Sequence, residues 1–96
     1  MRLARVVGSA VASVKEPRLT GMKLLLVEDA NGSGTSGGEA YVAADMVGAG
    51  EGEVVIVVRG SQAARSLGID GVPVDAAIVA IVDAVRRGGS VSYSKD

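Results

Sequence analysis

Ninety-six residues without a single Cys or His exclude a thiolate or imidazole nucleophile, a proton shuttle near neutral pH, and any disulfide framework. A Ser-His-Asp or Cys-His catalytic set is therefore impossible within this chain. Ten basic residues against eleven acidic ones leave a net charge of −1, which is no footprint for nucleic acid or anionic lipid.

The chain reads mostly as strand. From Leu3 to Val14 the even positions are small or apolar, and the odd ones mix Arg5, Ser9 and Ser13 with apolar residues. That period of two predicts a half-buried strand, with Gly8 marking a bend or bulge. Glu16-Pro17 ends it, because Pro cannot donate to a ladder. Met22 to Glu28 predicts a second strand whose run Leu24-Leu25-Leu26-Val27 implies burial on both faces. Asn31 to Gly38 holds four glycines and two serines and reads as a hairpin loop. Ala40 to Ala44 is the third strand, Gly48 to Gly52 a glycine-dense turn, and Glu53 to Arg59 the fourth strand, rich in β-branched residues.

Ser61 to Leu67 predicts a short helix, with Ser61 as N-cap and Gly68 as its stop. Asp70 to Pro73 is a second turn. Val74, Ile78, Ile81, Val82 and Val85 lie at helical spacing, yet the run Ile78 to Val82 is β-rich and Gly88-Gly89 leads into alternating Val91-Ser92-Tyr93-Ser94. The preferred reading of Val74 onward is a hairpin of two strands joined near Arg87 to Ser90. Five or six short strands with one short helix predict a mainly all-β domain spanning 1–96, a small OB-like Greek-key β-barrel.

That barrel has few large side chains to fill it. Tyr41 and Tyr93 are the only aromatic residues, although 48% of the chain is hydrophobic. A domain so small leaves much of its surface in water, and apolar surface without large rings to bury it invites oligomerisation. The longest apolar run, Ala76 to Val82, falls far short of the roughly 20 residues a membrane span requires. Nothing at the N-terminus predicts a signal peptide, so a soluble, cytoplasmic protein is expected.

Chemistry-bearing motifs are sparse. Gly32-Ser33-Gly34-Thr35-Ser36-Gly37 has dinucleotide-loop spacing, but a strand follows it where that chemistry needs a helix N-terminus. Asp45, Asp75 and Asp83 flank apolar strands without a nucleophile to serve; capping and turn formation account for the first two. Asp83 interrupts an apolar run, where it either faces solvent or partners an arginine across a subunit boundary. OB-type barrels that bind single strands use aromatic platforms and a basic groove, neither of which this composition supplies. No enzyme, no cofactor and no metal site is expected.

Together these residues resemble a known family. Ala4-Arg5-Val6-Val7-Gly8, Ser13-Val14-Lys15-Glu16-Pro17 and Gly21 to Val27, then Ala43 to Gly50, Val57 to Ser61 and Pro73 to Asp83, are similar in order and spacing to the EutN/CcmL family. Its members are pentameric vertex proteins of bacterial microcompartment shells. The resemblance implies a non-enzymatic shell protein that forms a cyclic homopentamer around a narrow axial pore. It also implies hexameric and pseudohexameric shell proteins as partners, with neither nucleic acid nor membrane. Gly48, Ala49, Gly50, Gly60 and Ser61 are expected near the pore or between subunits, where side chains have little room. Leu25 and Ile81, with Asp83 and Arg65, are expected at the subunit seam. Arg65 sits one position beyond the family's usual Gly-Ser-small-Ala-Arg pattern, about 100° of helical rotation.

Overall fold

A computed structural model describes residues 1–13, 15–69 and 71–95. Val14, expected to close the first strand, and Asp70, expected in the second turn, lie outside them. Among the described residues seven strands and one α-helix follow in order: β1 (Arg2–Ala10), β2 (Lys23–Asp29), β3 (Tyr41–Asp45), β4 (Val54–Arg59), α1 (Ser61–Ser66), β5 (Ala76–Ile81), β6 (Ala84–Arg87) and β7 (Ser90–Ser94). A 3₁₀ turn, Pro17–Leu19, links β1 to β2, with the Glu16 carboxylate accepting from the Arg18 amide.

The first five strands close into a barrel ordered β1-β2-β3-β5-β4. Every pairing is antiparallel except the short parallel contact of β3 with β5, Ala44 to Ala77 and Asp45 to Ile78. This is the Greek-key barrel predicted above. The ladder of β1 with β2 slips between Val6 and Gly8. The bulge anticipated at Gly8 is therefore present, and it supplies the curvature a narrow barrel demands.

Ten buried side chains fill the interior: Ala4, Val6, Leu25, Val27, Ala43, Ala49, Val55, Val57, Ala76 and Ile78. None is aromatic; a five-stranded barrel this tight is filled by Ala, Val, Leu and Ile, with Tyr41 and Ile81 packed at its margin. α1 packs near β4 and β5, and its Ala63 and Ala64 are buried.

Two expectations for the C-terminal half change. Gly60, not Ser61, is the N-cap of α1, with φ 75° and ψ −155°. Only glycine holds that conformation cheaply, and it lets the Gly60 N–H reach the Asp75 carbonyl at 2.8 Å. The stretch from Val74 is extended, as preferred, but it forms two strands: β5 completes the barrel, the chain leaves it at Val82-Asp83, and β6 pairs with β7 in a separate two-stranded sheet. Gly88 and Gly89, both at positive φ, make the two-residue turn between them.

Candidate subunit-contact surface

One end of the barrel gathers charge around a tyrosine. The ends of β1, β2, β3 and β4 bring Arg2, Asp29, Tyr41 and Arg59 together. The Tyr41 hydroxyl donates to Asp29 Oδ1 at 2.7 Å, and Arg2 Nη1 donates to Oδ2 at 2.8 Å. Arg59 lies over the Tyr41 ring, 4.3 Å from its centroid. The Tyr41 hydrogen bond, with Arg2 assisting against partial desolvation, holds the Asp29 carboxyl below its ordinary value. Burial, and then the Asp29 carboxylate, push the Tyr41 phenol up to about 12. A cavity of about 390 Å³ opens here, lined by Asp29, Glu39 and Arg59 among others. It mixes both charge signs and holds no nucleophile paired with a base.

The opposite end of β4 carries the glycine-rich turn. Asp45, 6% exposed, accepts the Val47 N–H at 3.1 Å and the Ala49 N–H at 3.0 Å. Lys23 Nζ donates to the Ala49 carbonyl at 2.5 Å and lies 3.8 Å from Asp45 Oδ2. Asp45 is therefore a turn-former, as its position implied. The loop with dinucleotide spacing is also internally tied: Asn31 Oδ1 accepts from the Ser33 and Thr35 amides at 2.9 and 3.1 Å. Among the described residues no group of three His, Cys, Asp or Glu side chains is placed to hold a metal, and no helix is long and apolar enough to cross a membrane.

Outside the barrel, apolar side chains line two surface depressions among others. One, on β1 and β4, contains Met1, Leu3 and Ile56; Met1 is 85% exposed. The other runs from Leu24, Val42 and Ala44 on β2 and β3 to Pro73 and Val74, around a groove of about 240 Å³. Val42 is 44% exposed there.

Sequence comparison matches residues 1–83 to the family described as "Ethanolamine utilisation protein EutN/carboxysome". The carboxysome shell vertex protein CcmL of Synechococcus elongatus is 45% identical over 95 residues, covering 99% of this chain and 96% of that protein. The chain belongs to the EutN/CcmL family. Its fold agrees. The solved structure of an ethanolamine utilization protein, EutN, superposes with a TM-score of 0.91 at 41% identity, covering all of both chains. A pentameric microcompartment shell protein, GrpN of Rhodospirillum rubrum, superposes at 0.79 with 40% identity, over 91% of this chain and 99% of that one.

Within this EutN/CcmL barrel the expected contact residues do not form one cluster. Leu25 is 3% exposed and belongs to the interior, whereas its neighbours Leu24 and Leu26 are half-buried. Ala49 is likewise a core residue. Ile81 packs against the core margin opposite Val55. Gly60 and Ser61 line a cleft with Pro73, Val74 and Asp75. Gly48 and Gly50 lie beyond the other end of β4, a six-residue strand of roughly 20 Å. Arg65 is exposed in the last turn of α1, and Asp83 is exposed where the chain leaves the barrel. The sequence reading missed the Arg2–Asp29–Tyr41–Arg59 cluster; four residues on four strands carry no local signal of their meeting.

Proposed function

We propose that this chain is a structural component of a bacterial microcompartment shell, a cyclic homopentamer that occupies the five-fold corners. The observation that carries the reading is likeness along the whole chain to shell vertex proteins, joined to likeness in fold to a pentameric shell protein. The surface supplies the physical requirement. A ring needs heterologous contacts, each subunit meeting the next through two different patches. The apolar surfaces on β1–β4 and on β2–β3 are two different surfaces available for such contacts.

In this reading the β2–β3 groove and the 73–75 loop take the seam, with Leu24, Leu26 and Val42 as its apolar part. The Gly60-Ser61 step or the Gly48 to Gly50 turn approaches the five-fold axis, but not both, since β4 separates them. Asp83, Ile81 and Arg65 fall at the edges of the seam. A sheet of hexameric and pseudohexameric shell proteins cannot close without five-fold corners, and these proteins are the partners. Coexpression with hexameric shell proteins tests this directly by electron microscopy. Closed polyhedra with the chain, and open sheets or tubes without it, are expected; equal closure in both would overturn the corner role.

A further inference from the structure

The loop between β2 and β3 places Asn31, the sole asparagine of the chain, directly before Gly32. Its ends are pinned by the bridge of Ala30 with Ser36 and by the Asn31 N–H, which donates to the Thr35 carbonyl at 3.0 Å. Asn31 is exposed, so water and hydroxide reach it. An asparagine side chain closes a five-membered ring when the nitrogen of the next residue reaches its Cγ. Glycine as that next residue has no Cβ to crowd the approach.

The loop activates both reacting groups. Asn31 Oδ1 accepts from the Ser33 and Thr35 amides at 2.9 and 3.1 Å. Two N–H donors on a carbonyl oxygen stabilise the negative charge it gains when its carbon is attacked, as in an oxyanion hole. The attacking nitrogen belongs to the peptide between Asn31 and Gly32, whose carbonyl oxygen accepts from the Gly34 N–H at 3.0 Å. A hydrogen bond to that oxygen favours the deprotonated amide, because the charge of that form rests largely on oxygen. Among the described residues neither the Gly32 N–H nor Asn31 Nδ2 donates a hydrogen bond, so neither the proton nor the leaving group is held back there.

We infer that Asn31 is a self-modification site, converted to aspartate and isoaspartate through a cyclic imide with Gly32. Hydroxide takes the Gly32 N–H proton and the bond from that nitrogen to Asn31 Cγ forms. The bond from Cγ to Nδ2 then breaks, and ammonia leaves with a proton from water. Water adds to either imide carbonyl, and nothing is oxidised or reduced. Breaking the new bond at Cγ gives aspartate. Breaking the original peptide bond gives isoaspartate, whose main chain runs through Cβ and Cγ and is one carbon longer. Either product adds one negative charge to a chain of net charge −1. Aspartate keeps an acceptor for the Ser33 and Thr35 amides, now a charged and stronger one. Isoaspartate displaces Gly32, whose carbonyl accepts from Ser92 Oγ at 2.6 Å, and Gly34, which lies against the Tyr93 ring. That product therefore loosens the tie between this loop and β7.

The test is incubation of the full chain, folded and in guanidinium, across a series of alkaline pH values. Mass spectrometry after proteolysis follows the peptide that contains Asn31, and chromatography separates aspartate from isoaspartate. The expected result is conversion in the folded chain at least as fast as in the unfolded one, rising in proportion to hydroxide and giving both products. Gly32→Ala adds a Cβ that would meet only Ser92 Oγ, at 4.0 Å, so the loop tolerates it. This variant should slow conversion about tenfold, a barrier higher by about 1.4 kcal/mol. A folded chain that converts at least about tenfold more slowly than the unfolded one overturns the inference, because the loop then guards Asn31. Conversion to aspartate alone, at a rate that Gly32→Ala leaves unchanged, also overturns it, since direct hydrolysis needs no Gly32 nitrogen.

Discussion

At the scale of single residues, two leucines side by side have different fates. Leu25 fills the barrel and Leu24 lines the outer groove. Leu25→Ala should cost about 2–5 kcal/mol of folding stability, the range for an emptied leucine site, read by urea unfolding. Val42→Asp should leave the melting of the barrel nearly unchanged and weaken the ring, read by light scattering. Their difference was not legible in the sequence: all four positions of Leu24 to Val27 are apolar, so period two has no contrast to fix its phase. Asp45 was legible, because a lone carboxylate between a strand and a glycine turn has backbone amides as its natural partners. Tyr41 gives a test in pH. Folding raises its phenol from 10.0 to about 12, so the stability it contributes is complete below pH 10 and is lost as pH rises toward 12. Asp29, held low, contributes above its ordinary value of 3.8 and loses that contribution as acid protonates it. Tyr41→Phe should flatten the alkaline limb of a denaturation profile and shift the acid limb upward, since it removes the largest cause of the Asp29 depression. An unchanged alkaline limb would show that the phenol titrates freely in the folded chain.

Elements were legible wherever a local rule had one solution. The bulge followed from a glycine inside an alternating run, and the last turn from Gly88-Gly89 between strand patterns. The start of α1 was misplaced by one residue because Gly60 and Ser61 are both acceptable caps by composition; backbone dihedrals decide between them. Gly60→Ala should cost about 1–3 kcal/mol, the strain of an L-residue held at φ 75° and ψ −155°. Ser61→Ala should cost less than about 0.5 kcal/mol, since no side-chain cap bond is lost. Equal losses in thermal unfolding would return the cap to Ser61. The division of the last extended stretch into β5 and β6 was not legible either. Only Asp83 interrupts it, and barrel closure, which is a property of all five strands, sets where the chain departs.

On the scale of the whole molecule, a barrel filled by small aliphatic side chains leaves apolar surface outside. That surface and the family relationship converge on a ring. The fold and the family were readable from the sequence because their motifs run along nearly its whole length. The contact surface was not, because it is assembled from strand faces whose phase depends on the closed barrel. Native mass spectrometry of the purified chain tests the central claim most directly. A species of about 48 kDa, five copies of 9.6 kDa, is the predicted result, and a stable 9.6 kDa monomer at micromolar concentration would contradict it.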